Sequence, residues 1–136
     1  MGKLKFSVGY WVYGQVPDRY LGTGYQPNQG LQERLARIAR TSGIAGVEIP
    51  FGPVLNSANI DEVRRQVAEA GLTVSSLAVN VTGDPKWALG SLSNPNLAIR
   101  REAVKMVSEA MSAAEALGAD TVNLWMGQDG FDYPFE

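Results

Sequence analysis

Cysteine and histidine are both absent from this sequence of 136 residues. Without cysteine the chain has no disulfide, no thiol nucleophile and no thiolate zinc site. Without histidine it cannot build a Ser-His-Asp triad, an imidazole general base or a histidine metal site of its own. Any chemistry here must use carboxylates, amides, hydroxyls or groups supplied from elsewhere.

Basic clusters and long apolar runs are also missing. Twelve Lys and Arg residues against fourteen Asp and Glu give a net charge of −2, and no basic stretch is suited to a phosphate backbone. No segment is apolar enough for a membrane span or a cleaved leader. The "GTG" at Gly22–Gly24 lacks the third glycine of a nucleotide-binding loop. We therefore expect a cytoplasmic protein with neither a nucleic-acid nor a membrane partner.

The chain alternates between helical and strand patterns. Three segments have helical spacing of apolar residues: "LQERLARIAR", "IDEVRRQVAEA" and a longer one. In the longer one, Asn94 is the expected N-cap and Pro95 the first helical residue. Its apolar positions are Val104, Val107, Ala110, Met111 and Ala114. The three segments reach Gly43, Gly71 and Gly118, the residue type that most easily reverses the chain. Strand-like runs follow each glycine, and "KLKFSVGYWV" precedes them all. This order predicts an α/β fold with about four parallel strands and three helices.

Side chains along the predicted strands alternate between two kinds. Because successive residues in a strand point to opposite faces, one set packs against the helices and is apolar. The other set forms what we call the inner face, which is small or polar with aromatic residues near the strand ends: Ser7, Gly9, Trp11, Glu48, Ser76, Ala78, Asn80, Asn123 and Trp125. Such a face is typical of a barrel interior that opens into a polar pocket.

Several inner-face residues are candidates for binding a polar ligand. Trp11 and Trp125 can form apolar walls against the C–H faces of a sugar, although core packing explains either one alone. Glu48 is equally a pocket carboxylate or a charge paired with an Arg or Lys of another strand. We assign Asn80 to ligand binding and Asn123 to structure.

The loop after the last strand carries two further candidates, Gln128 and Asp129. Asp129 lies between turn-forming residues, so shaping the loop is its alternative role.

Three segments of the sequence resemble one family. "FSVGYWVYG" and "IAGVEIPFGP" resemble the first two strands of xylose isomerase, and Ser93–Gly130 resembles its third helix and fourth strand. The closing "GQDGFDYPF" is more similar to the wider group of xylose isomerase-like TIM-barrel sugar isomerases and epimerases. The resemblance implies that residues 1–136 are a single partial domain, the N-terminal half of a (β/α)8 TIM barrel.

The same resemblance sets expectations for function. The family implies a sugar substrate, aldose–ketose interconversion and a divalent metal, Mn, Mg or Co, whose ligands belong to strands five to eight. This chain would then contribute substrate-binding residues, namely Trp11, Glu48, Asn80, Trp125, Gln128 and Asp129, but no catalytic residue, and would bind no metal alone. Its partner would be a second copy or the missing C-terminal half-barrel. Pro50 takes the place of the family's second-strand histidine, which assists ring opening.

Two alternatives remain open from the sequence. One is a related barrel enzyme, an inosose dehydratase or an endonuclease IV-like phosphodiesterase; the latter should show basic loops, and the first loops offer mainly Arg19 and Lys86. The other is a non-catalytic half-barrel module that associates with itself.

Overall fold

The computed structural model describes residues 4–126 and contains one sheet of four strands in chain order. All neighbouring strands are parallel. The strands are β1 (Phe6–Gly9), β2 (Ile44–Phe51), β3 (Thr73–Asn80) and β4 (Val122–Trp125), and the helices are α1 (Leu31–Ala39), α2 (Ile60–Glu69) and α3 (Leu97–Leu117). This half-barrel of four parallel strands and three helices confirms the predicted fold. No helix within residues 4–126 has the length and apolar character needed to cross a membrane.

Left-handed glycines end the helices as the sequence predicts. Gly118 has φ 72° and closes α3, while Gly71, at φ 71°, directly follows the C-cap of α2. Gly43, at φ 87°, lies a few residues beyond α1. Glycine adopts this region of φ more easily than residues with a Cβ. The chain can therefore reverse after each helix and enter the next strand.

The start of α3 lies two residues later than the sequence predicts. The cap is Asn96, whose side-chain oxygen accepts a hydrogen bond from the Ala98 N–H at 2.9 Å. Asn94, the expected cap, is buried and instead donates its amide to the Gly90 carbonyl at 2.7 Å. Both asparagines suit a cap chemically, and the buried loop contact of Asn94 decides between them.

The helices pack on one face of the sheet, and that face is apolar. Val47, Ile49, Leu77 and Val79 have 0% exposure, and Val122 packs against the same core. These residues lie between the sheet and the helices, as the alternation predicts. The opposite set therefore forms the inner face.

Helix α3 contacts the sheet through only part of the expected stripe: Ala110 and Ala114 are buried as predicted, and Val104 and Met111 are not. Its buried residues are all alanines, at positions 103, 110, 113 and 114, whereas Val104 and Met111 are 54% and 59% exposed. Alanine lets the helix backbone approach the sheet closely, because it has no side chain beyond Cβ. The bulkier residues are consequently left on the outside of this half-barrel.

Strand β1 is shorter than the sequence pattern suggested. It ends at Gly9, and the next four residues, Tyr10–Tyr13, form a 3-10 turn. Trp11 therefore does not belong to the strand, which corrects the predicted placement. Tyr10 still packs into the helix-side core at 6% exposure.

The packing predicts unequal losses of stability when two helix valines, one buried and one exposed, are shortened to alanine. Val63 in α2 has 1% exposure and Val104 in α3 has 54%. Val63→Ala should lower the free energy of unfolding by about 2 kcal/mol through lost burial and the cavity left behind. Val104→Ala should change it by no more than about 0.5 kcal/mol. Urea denaturation followed by circular dichroism measures both, and an equal loss in the two variants would contradict this packing.

Candidate functional site

Strand register places the polar inner-face residues beside one another. Glu48 of β2 pairs with Ser76 of β3, and Asn80 of β3 pairs with Trp125 of β4. In parallel strands, paired residues direct their side chains to the same face. Glu48, Asn80 and Trp125 therefore share the inner face, with Asn80 and Trp125 at the carboxyl ends of their strands.

A hydrogen bond crosses the inner face between β2 and β4. The Asn123 amide donates to Glu48 Oε1 at 3.3 Å. The two residues are separated by a whole strand, about 10 Å of backbone spacing, and the residues of β3 between them, Ser76 and Ala78, are small. Small side chains in the middle strand leave room for the two long ones to meet.

Glu48 has no cationic partner within residues 4–126. The structure shows no ion pair to Glu48 in this range, and its side chain accepts a hydrogen bond from Asn123. The alternative role weighed from the sequence, a charge paired with an Arg or Lys of another strand, is thus not seen in this part of the chain. Residues 4–126 show no hydrogen bond to the other carboxylate oxygen, Oε2, so within this range that oxygen can accept one from another group.

Trp11 reaches the inner face although it lies outside β1. Its indole ring packs over Gly9, where any Cβ would collide with it. Gly9 pairs with Glu48, so the ring occupies the inner-face position that a side chain at residue 9 would take. Trp11 is 45% exposed and Trp125 is 54% exposed. An exposed aromatic surface is therefore present at each edge of the four-stranded sheet, beside β1 and on β4.

The sequence analysis assigned Asn123 to structure and not to ligand binding, whereas in the structure its amide donates a hydrogen bond to the candidate site residue Glu48. Alternation already placed both on one face; what it lacked was the register that brings them within hydrogen-bond distance. Gln128 and Asp129 lie outside the described residues, so their candidate roles stay predictions.

Comparison with known proteins identifies the family of this fold. A family model described as "Xylose isomerase-like TIM barrel" matches residues 36–135. The chain belongs to the xylose isomerase-like TIM-barrel family. It is 30% identical over 73 residues to xylose isomerase of Mannheimia succiniciproducens and 25% identical over 134 residues to that of Thermus thermophilus.

These matches involve only part of each relative. The first covers 54% of this chain and 17% of the Mannheimia enzyme. The second covers 93% of this chain and 34% of the Thermus enzyme. The chain therefore spans about a third or less of the length of these relatives.

The described residues do not fit the divalent metal that xylose isomerase-like enzymes imply. No group of three or more His, Cys, Asp or Glu side chains within residues 4–126 is arranged to hold a metal ion. Glu48 is the inner-face carboxylate of the strands, and a single carboxylate falls far short of the six or more oxygen ligands that hard divalent ions require.

The loop between β1 and α1 follows the carboxyl end of β1, the end of the sheet at which Asn80 and Trp125 lie. Several of its hydrogen bonds are made to Asp18. One carboxylate oxygen, Oδ1, accepts the N–H groups of Tyr20 and Leu21, each at 2.8 Å. The other oxygen, Oδ2, accepts the Tyr25 hydroxyl at 3.0 Å. Backbone hydrogen bonds from Leu21 and then Tyr20 hold the pKa of Asp18 below its usual value of 3.8. The hydrogen bond from the Tyr25 hydroxyl to Asp18 raises the pKa of that hydroxyl.

The lowered pKa of Asp18 predicts how this loop responds to acid. A carboxyl whose folded pKa is depressed contributes stability above its unfolded pKa and loses it as the pH falls through the folded pKa. The amide resonances of Tyr20 and Leu21 should therefore move together with a midpoint below pH 3.8. An NMR titration measures this, and Asp18→Ala should remove the transition. A midpoint above that value would contradict the hydrogen-bonded loop.

Proposed function

We propose that this chain forms the substrate-binding first half of a metal-dependent sugar isomerase or epimerase that interconverts aldoses and ketoses. The observation that carries the proposal is the hydrogen-bonded Glu48–Asn123 pair on the inner face, flanked by the open indoles of Trp11 and Trp125, in a chain of the xylose isomerase-like family. The proposal includes a cytoplasmic location.

The arrangement matches the chemistry of a sugar. A sugar presents several hydroxyls, each a donor and an acceptor, and C–H faces that pack on aromatic rings. Glu48 Oε2 can accept a hydrogen bond from a sugar hydroxyl, while the amide of Asn80 can both donate and accept. Trp11 and Trp125 supply the apolar walls. In this proposal Gln128 and Asp129 complete the polar rim.

The divalent metal, Mn, Mg or Co, enters the proposal through the relatives and not through residues 4–126. When bound, it would polarise the oxygens on C1 and C2 of the sugar, the two adjacent carbons between which hydrogen moves. This chain would hold and orient the sugar and keep its C–H face away from water. The ligands would come from strands five to eight of a longer protein.

Comparing this chain with the product of the complete gene tests the proposal. The isolated chain should bind an aldose or ketose, measured by its tryptophan fluorescence, but should neither turn it over nor bind Mn²⁺ more tightly than roughly millimolar, because one carboxylate cannot replace a full oxygen shell. The complete product with Mn²⁺ should isomerise one of a panel of aldoses.

Matched variants locate the binding. Glu48→Gln keeps the shape but replaces a charged acceptor, so we expect sugar affinity to fall about tenfold. Glu109→Gln, an exposed change on α3 whose ion pair is to Lys105 of the same helix, should leave affinity unchanged. Isomerase turnover by the isolated chain, or no turnover by the complete product on any sugar of the panel, would contradict the proposal.

The apolar surfaces at the two sheet edges support a polypeptide partner, which we propose is the C-terminal half-barrel. Leu4 and Phe6 at the β1 edge are 79% and 58% exposed. At the other edge, α3 and β4 border an apolar groove of about 540 Å³ that includes Met111 and Leu124. Exposed strand edges beside apolar surface favour association with another chain.

Association of the isolated chain follows from these edges. Without its partner the chain should form dimers or larger species, as two half-barrels that bury each other's edges. Sedimentation velocity across a concentration series measures this. Met111→Lys should weaken the association by placing a charge in the groove, whereas Ser112→Lys, an exposed neighbour on α3, is the control. A monodisperse monomer at every concentration, with a cooperative melt, would contradict the prediction.

A further inference from the structure

Two arginines of α1 contact the tyrosines on either side of Trp11. The guanidinium carbon of Arg34 lies 4.5 Å from the centre of the Tyr10 ring. That of Arg37 lies 5.7 Å from the centre of the Tyr13 ring. A cation over an aromatic face is attracted by the ring electrons. The 3-10 turn is thus held at both of its ends by the helix.

Neither arginine has an acidic partner within residues 4–126. Arg34 is only 9% exposed, and it donates to the Gln29 carbonyl and to the Asn28 side-chain oxygen, both at 3.0 Å. Arg37 donates to the side-chain oxygens of Gln26 and Gln29, both at 2.9 Å, and to the Tyr13 carbonyl at 3.4 Å. A buried cation is costly unless its hydrogen bonds are made. The amide oxygens of the β1–α1 loop meet that need.

Glycines before and after the turn make this arrangement possible. At Gly14, a Cβ would lie 2.7 Å from Arg34 Nη1. At Gly9, a Cβ would collide with the Trp11 ring. The two glycines therefore admit Arg34 on the helix side and the indole on the inner face. Because Tyr10 is fixed against Arg34 on the helix side, Trp11 is turned toward the opposite side of the turn.

We propose that Arg34 and Arg37 are positioning residues that hold the Tyr10–Tyr13 turn so that Trp11 forms the sugar-facing wall beside Glu48. They act through the tyrosines and the β1–α1 loop and do not touch the ligand. The sugar-binding part of this inference rests on the proposed function; the positioning of Trp11 does not. Lysine cannot substitute, since a single ammonium cannot stack and make two in-plane hydrogen bonds at once.

Proton NMR of Trp11 tests the positioning without any ligand. The unsubstituted chain, the parent of these variants, should show a nuclear Overhauser effect between the Trp11 ring and the Gly9 α-protons. The Trp11→Phe variant assigns the ring resonances. Arg34→Met and Arg37→Met should each weaken or abolish it, and Arg34→Lys should fail to restore it. The indole N–H resonance of buried Trp87 should stay in place as evidence that the fold is intact. Arg101→Met, an exposed arginine on α3, is the control and should leave the effect unchanged.

Sugar titration gives the second readout. If the parent binds a sugar, Arg34→Met should raise the dissociation constant about fivefold, the effect of losing one well-placed aromatic contact. If Arg34→Met does not fold, Arg37→Met and Gly14→Ala decide the question by the same criteria.

The outcomes separate the two proposals. Absence of sugar binding by the parent would contradict the proposed function while the Overhauser effect still tests the positioning. A folded Arg34→Met or Gly14→Ala variant with the parental Trp11–Gly9 effect would overturn the inference.

Discussion

The rest of the structure depends on the strict alternation of side chains across parallel strands. One set, represented by Val47, Ile49, Leu77 and Val79, is buried against helices, and this burial supplies the main favourable free energy of folding. A shift of any strand by a single residue would move that set to the other side. The same constraint that builds the core therefore fixes which residues, Glu48 and Asn80 among them, face the opposite side of the sheet.

Most of the fold could be predicted because it depends on local patterns. Alternation identified both faces of β2, β3 and β4, and the glycines after α2 and α3 marked the reversals. The errors arose where tertiary packing decided between acceptable local choices. Asn94 and Asn96 are both good caps, and only the contact of Asn94 with the Gly90 carbonyl selects Asn96. Periodicity included Ala110 and Ala114 of α3, but it also included Val104 and Met111. The close approach that alanine allows decides which of these positions meet the sheet.

The sequence predicted which residues share the inner face, but not which of them contact one another. Parity placed Glu48 and Asn123 on one face, yet their hydrogen bond depends on the register of three strands and on the small residues of β3 between them. Trp11 was predicted on the correct face for an incorrect reason, since it reaches that face from a 3-10 turn and not from β1. Gly9 makes this possible because it has no Cβ to collide with the Trp11 ring. That role of Gly9 can be seen only when the position of the ring is known.

Thiol reactivity at adjacent strand positions is the most direct measurement of this account, because the chain has no native cysteine. Single replacements Glu48→Cys and Ile49→Cys on β2, with Val79→Cys and Asn80→Cys on β3, each introduce one reporter. The account predicts that cysteines at 48 and 80 react with a small charged thiol reagent in the native protein, whereas those at 49 and 79 react only on unfolding. Equal reactivity within a pair, or reaction at 49 and 79 with protection at 48 and 80, would contradict the assignment of the inner face.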